Sequence, residues 1–258
     1  MKMTGNTILI TGGGSGIGLA LGEEFSRLGN EVIVAARSAR KLELAGSKGF
    51  KQLPVNMSSR ESIESLARTV VTRFPALNVV IHNAGIMKNE NLQTTNTSDL
   101  AVETIATNLT GPILLTTALL PHLLGQAEAT VMTVTSGLGF VPLAMTPTYS
   151  ATKAAIHSYT QSLRYQLRET RVRVIELVPP YVRTGLMGSR QLSDPAAMPL
   201  GEFISEVMSI LESQPGATEI LVKGVQALRF AASGGPEKYA AVWQELNDRV
   251  SAARAREF

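Results

Sequence analysis

Cysteine is absent from this chain, which excludes disulfides and thiolate-held metals. A chain that manages without it suits a reducing compartment, so a cytoplasmic location is expected. Histidine is scarce: His82, His122 and His157 lie far apart without ligand spacing, and no metal site is expected. Nowhere do 18 apolar residues follow one another, so no membrane span is expected. Met1 to Asn6 lead straight into an apolar segment, leaving no room for a signal peptide. The net charge of +3 is too small to point to nucleic acid. The basic tail Arg254-Ala-Arg256 reads as a solvated helix end.

What is present is a chain of 258 residues with 44% hydrophobic content, enough to bury one core across residues 1–258 as a single domain. Short runs rich in Val and Ile predict strands at 7–10, 31–36, 50–54, 77–82, 129–135 and 172–178. Helical patterns fall between them near 16–28, 38–46, 59–74, 98–123 and 150–169. That alternation argues for an α/β, Rossmann-like, doubly wound parallel sheet of about six strands, with helices on both faces. Residues 185–216, with Gly185, Gly188, Pro195, Pro199 and Pro215, read as an irregular, mobile substrate loop. Beyond them Leu221, Val225 and Leu228 stand at helical spacing. Gly234-Gly235-Pro236 then stops that segment before a last helix to about Arg254, so a helical C-terminus is expected.

Two motifs carry chemistry. The first is Thr11-Gly12-Gly13-Gly14-Ser15-Gly16-Ile17-Gly18, between the run Thr7–Ile10 and a helical pattern. Glycines allow close backbone approach, and a helix N-terminus offers free N–H groups to a pyrophosphate. An ordinary βα turn with excess glycine is the plainer alternative. The second is Tyr149-Ser-Ala-Thr-Lys153, which sets a phenol and an ammonium on one helix face, with Ser136 thirteen residues upstream. A neighbouring cation favours the phenolate and brings a group of pKa about 10 toward working pH. Many Tyr–Lys pairs at this spacing are simply an amphipathic ring beside a solvated amine.

In their order and separations, Thr11–Gly18, Asn83-Ala84-Gly85, Asn108, Ser136, Tyr149 with Lys153, and Pro179–Thr184 resemble the short-chain dehydrogenase/reductase family, in its single-domain branch. Within it, the chain looks most like the bacterial oxidoreductases named after the D-alanylation operon. The resemblance implies that Tyr149 exchanges a proton with a carbonyl or alcohol oxygen as hydride moves to or from a nicotinamide. It implies that Lys153 lowers the Tyr149 pKa and bonds the nicotinamide ribose, that Ser136 donates to the substrate oxygen, and that Asn108 holds a relay water. Cofactor contacts implied by the family fall on Thr11, Gly12, Ser15, Gly16, Ile17 and Gly18; on Asn56 and Met57; on Asn83, Ala84 and Gly85; and on Pro179, Val182 and Thr184. His82 replaces a commoner Asn and reads as a neutral strand-end residue.

Ala36 and Arg37 follow the second strand, where an acid would favour NAD. With the acid absent and a guanidinium present, NADP is expected over NAD. Leu138, Phe140, Pro142, Met145, Tyr181, Leu186 and Met187 are candidates for an apolar substrate pocket, and Arg183 is the only cation near them in sequence. An uncharged ketone, aldehyde or alcohol is favoured, and an acyl-carrier substrate stays open. So do a non-catalytic NADP sensor and a sugar-nucleotide epimerase or dehydratase, although the last usually needs a larger chain. A homodimer is expected through the helices near 98–123 and 150–169, using Leu114, Leu119, Ile156 and Leu163.

Overall fold

The apolar runs become strands wherever two faces need covering. The computed structural model describes residues 1–93 and 96–254. Thr7–Thr11 (β1), Glu31–Ala36 (β2), Lys51–Pro54 (β3), Leu77–His82 (β4), Ala129–Val134 (β5), Val172–Val178 (β6) and Glu219–Leu221 (β7) form one sheet. Its order is β3-β2-β1-β4-β5-β6-β7, with every neighbouring pair parallel. Strands buried on both faces must be apolar on both, which is why β1, β2, β4, β5 and β6 are nearly continuous apolar runs, whereas edge strand β3 exposes Lys51, Gln52 and Pro54.

Helices fill the crossovers. One core lies between the sheet and Gly16–Arg27 (α1), Ala39–Ser47 (α2) and Leu200–Ser213 (α8), around Leu21, Phe25, Phe203 and Val207. The other lies under Arg60–Arg73 (α3), Gly111–Leu124 (α5) and Pro147–Gln166 (α6), around Ile63, Leu66, Leu115, Leu119 and Leu163. The doubly wound sheet is therefore present. Strand order reverses between β1 and β4, and a crevice opens there at the carboxyl ends of the strands.

Three expectations need correction. The sheet has seven strands, because Glu219–Leu221 pairs with Glu176–Val178. Only after it does the chain turn helical, through a 3₁₀ turn at Lys223–Val225, Gln226–Arg229 (α9), a second 3₁₀ turn and Pro236–Arg254 (α10). A three-residue strand is too short to show a period of its own, so the spacing of Val225 and Leu228 spread over it.

The second correction is that residues 185–216 are not an irregular excursion. They hold the short helix Ser189–Ser193 (α7) and all of α8. Phe203, Ile204, Val207 and Leu211 give α8 a buried stripe that packs it beside α1. The remaining loop is tied down by Gln191, whose amide donates to Val182 O at 2.7 Å and accepts from Met187 N at 2.9 Å. Third, Leu119, Ile156 and Leu163 face inward, at 0%, 3% and 6% exposure, and cannot form an outer contact. The expected basic tail lies outside the described side chains.

Candidate active site

The β1–α1 turn is built for close approach. Gly12 has φ 67°, and a Cβ there would stand 2.7 Å from the Ala84 backbone. At Gly18 a Cβ would meet the Asn83 side-chain amide, so both positions require glycine. Thr11 and Asn83 bind the two strand ends together. The Thr11 hydroxyl accepts from Asn83 N at 3.1 Å and Ala84 N at 3.2 Å, while Asn83 Nδ2 donates to Thr11 O and Gly12 O at 3.1 and 3.2 Å. The result is a turn with its backbone bared toward the crevice. A Cβ-free cradle at a helix N-terminus is what a pyrophosphate requires, and the residues present fit one.

The crevice has a volume of about 1500 Å³. Gly12, Ser15, Gly16, Ile17, Arg37, Asn56, Met57, Asn83, Ala84 and Gly85 line it. So do Ser136, Tyr149, Lys153, Pro179, Val182 and Thr184. Thr11, Gly18 and Asn108 do not reach the surface of the cavity and act from behind it. Asn56 spends its carbonyl oxygen on Ser58 N and Oγ, at 3.2 and 2.9 Å, so an adenine contact there has to share that acceptor. Arg37 meets Glu103 across the opening, Nη1 to Oε1 at 3.3 Å, from Ser98–Ile105 (α4). Lys41 joins Arg37 in the same wall.

Tyr149 and Lys153 occupy the first turns of α6, with Lys153 Nζ 5.5 Å from the Tyr149 ring centroid. Both are buried. Lys153 Nζ donates to Val134 O at 2.7 Å. Burial pushes the Tyr149 phenol up to about 12, with a hydrogen bond to Ser136 acting in the opposite direction. Burial also draws Lys153 down to about 8, against the field of Glu176. The lowering of the phenol by Lys153 that the resemblance implies is opposed by burial of the ring. Asn108 lies in a π-turn, Ala106–Thr110, where α4 passes into α5. Its Oδ1 accepts from Ile86 N and its Nδ2 donates to Ile86 O, each at 2.9 Å, so this side chain braces the loop beside Gly85. His82 is buried, its Nε2 is 2.8 Å from the Thr116 hydroxyl, and burial draws it down to about 4. It is neutral, as its place at a strand end requires.

Residues 6–194 match the family model for short chain dehydrogenases. The chain belongs to the short chain dehydrogenase family. The Bacillus subtilis oxidoreductase DltE is 39% identical to this short chain dehydrogenase over 258 residues, covering 96% of this chain and 98% of that protein. A Burkholderia cenocepacia short chain dehydrogenase solved with NADP matches at TM-score 0.80 and 23% identity, covering 94% of this chain and 99% of that one. A Burkholderia phymatum enzyme of the family, solved with NAD, matches at TM-score 0.75 and 19% identity, covering 90% and 95%. These two structures support the fold.

The dehydrogenase's cavity is also lined by Leu138, Tyr181, Leu186 and Met187, four of the residues expected of an apolar pocket. Phe140, Pro142, Met145 and Arg183 are not in that wall. Phe140 stacks edge-on against His157 at 4.6 Å, and Met145 packs beside Tyr149 in a third apolar cluster. Lys88, Lys223 and Arg249 line the cavity as well as Arg37, Lys41 and Lys153, and Arg183 does not.

The larger surprise is α10. Leu246, Arg249, Val250 and Ala253 complete the wall, and Asn247 clamps the helix to the loop before α6 by accepting from Ala144 N at 2.6 Å and donating to Pro142 O at 3.1 Å. The sequence shows this last helix but not what it packs against. Glu90 also went unseen. It is buried, and its carboxylate accepts from Thr148 N and Oγ1 at 3.1 and 2.7 Å, so it caps the helix that carries Tyr149.

Among the described residues, no helix is long and apolar enough to cross a membrane, and no group of His, Cys, Asp and Glu could hold a metal ion.

Proposed function

We propose that the protein is an NADP(H)-dependent oxidoreductase of the carbonyl reductase or alcohol dehydrogenase type, interconverting a small ketone or aldehyde and its alcohol. One observation carries this reading: Ser136, Tyr149 and Lys153 open into the same cavity as the Gly12–Gly18 turn. When bound, the nicotinamide cofactor supplies or accepts the hydride. Tyr149, held as a neutral phenol, is in the form that gives a proton to the carbonyl oxygen. Ser136 donates a hydrogen bond to that oxygen and stabilises the charge growing there. Lys153 favours the phenolate once the proton has left, and so serves the return direction. Asn108 fixes the loop at Gly85 and Ile86 that borders the reacting centre. Apolar walls at Leu138, Met187, Leu246 and Val250 exclude water from it.

The preference for NADP(H) rests on Arg37 and Lys41 at the adenosine end, with Ala36 where an acid would repel a 2′-phosphate. For assembly we propose a homodimer through α4 and α6. The outer apolar residues there are Val102 and Ile105 on α4 and Tyr165 on α6, at 68%, 44% and 68% exposure. The deciding experiment follows NADPH and NADH consumption over a panel of ketones, aldehydes and alcohols. Turnover of some carbonyl with NADPH is expected; binding of NADPH with no turnover across the panel would reduce the protein to a cofactor-holding one.

A further inference from the structure

Glu176 is the odd residue of its strand. Along β6, Val172 and Val174 face the core under α6, and Glu176 continues their row with no exposed side-chain surface. A carboxylate in such a row is costly unless it is paired and hydrogen-bonded. Here the Thr135 hydroxyl donates to Oε1 at 2.7 Å, and His157 Nδ1 lies 2.9 and 2.8 Å from the two carboxylate oxygens.

The partners matter because of their positions. Thr135 immediately precedes Ser136, and His157 lies one turn beyond Lys153 on the same face of α6. Lys153 reaches the same strand end through Val134 O. One buried carboxylate thus joins the strand end that bears Ser136 to the helix that bears Tyr149 and Lys153.

We propose that Glu176 is a positioning residue: through Thr135 and His157 it locks Ser136 and Lys153 into one arrangement, and it provides the buried counter-charge of Lys153. The proposal rests on the reading of Tyr149 and Lys153 as the acid–base pair. Desolvation alone would strip Lys153 of its proton more readily than is the case, and Glu176 works against that loss. Other ionisable groups around this cluster, among the described residues, are Tyr149, His157 and Arg164 on α6, Glu219 on β7 and Arg229 on α9. Glu219 and Arg229 are engaged with each other through two bonds of 2.8 and 2.9 Å, so neither substitutes for Glu176.

Glu176→Gln keeps the shape and an acceptor for Thr135 while deleting the charge. The first readout needs neither cofactor nor substrate: the ¹³Cε resonance of Lys153, assigned by its loss in Lys153→Met protein, is titrated with pH. Its midpoint near 8 is expected to fall by about one unit in Glu176→Gln, as loss of a nearby opposite charge requires. The second is a kcat for carbonyl reduction lowered about tenfold, equivalent to about 1.4 kcal/mol, with the Kd for NADPH unchanged. An unmoved Lys153 midpoint overturns the proposal. If Glu176→Gln does not fold, Thr135→Val carries the test. It leaves the charge and removes the tether, so kcat falls, the Lys153 midpoint stays, and Thr135→Ser restores the rate. A wild-type kcat in Thr135→Val overturns the proposal as well. A wild-type chain that reduces no carbonyl removes the functional reading, and the Lys153 titration still decides the role of Glu176.

Discussion

At Tyr149, burial and chemistry pull in opposite directions. A phenol pushed up to about 12 gives its proton reluctantly, yet a dry pocket is where each charge and hydrogen bond aimed at the reaction is strongest. Tyr149→Phe keeps the ring and removes the proton, so turnover should fall about a hundredfold or more while NADPH binding stays near wild type. Steady-state rates beside fluorescence titration of NADPH check this, and a rate within a few-fold of wild type rejects Tyr149 as the acid. Arg37→Ala should weaken NADPH by roughly ten- to a hundredfold, for loss of a charge-assisted pair of about 1.5–3 kcal/mol, and NADH far less. Equal losses for the two cofactors would show that Arg37 remains with Glu103 and does not read the phosphate. Gly12, Gly18, Tyr149 and Lys153 were legible in the sequence because their tasks admit few residue types. Glu90 and Glu176 were not, since a buried carboxylate declares its role only through partners that come from distant parts of the chain. Glu176 did leave a trace: it is an acid inside the apolar run Val172–Val178.

Among the elements, the long buried strands were readable within a residue or two, because two-sided burial writes a continuous apolar run. β7 was not, since its three residues are held by pairing with β6 rather than by any pattern of their own. α8 was overlooked for another reason. Pro199, Gly201 and Pro215 bracket it and read as loop, although Pro199 stands at its N-cap and Phe203, Ile204, Val207 and Leu211 keep a helical period. The cavity wall supplied by α10 depends on docking, which no single-segment pattern reveals. Its clamp gives a prediction at this scale. Asn247→Ala removes an acceptor for Ala144 N and a donor to Pro142 O, about 0.5–1.5 kcal/mol each. The KM for carbonyl substrate should rise and protease cleavage within α10 should accelerate, with NADPH affinity unchanged. A weakened NADPH complex with unchanged KM would place the clamp's effect on the wrong side of the cavity.

For the whole molecule, the buried Lys153 ties stability to pH. Its native value of about 8 lies below its ordinary 10.5, so between those values the unfolded chain holds a proton that the native one does not. Stability should therefore rise with pH across that window, by up to about 3 kcal/mol from this group. Tyr149, raised from 10.0 to about 12, acts in the opposite sense only above pH about 10. Urea unfolding at pH 8 and pH 10 should show the wild-type chain gaining on Lys153→Met; a constant difference contradicts the shift. Light scattering at micromolar concentration should give the mass of two chains, and Val102→Glu with Tyr165→Glu that of one; four chains, or a dimer indifferent to both changes, would place the contact elsewhere. The docking of α10 also orders the site in time. A growing chain releases the cavity-lining residues from Gly12 to Thr184 before Leu246, Arg249 and Val250 are made. The last side of the cavity is thus the last to be synthesised. Under the proposed function, a chain nicked within α10 should keep NADPH binding and lose carbonyl turnover, and limited proteolysis followed by the two assays checks this.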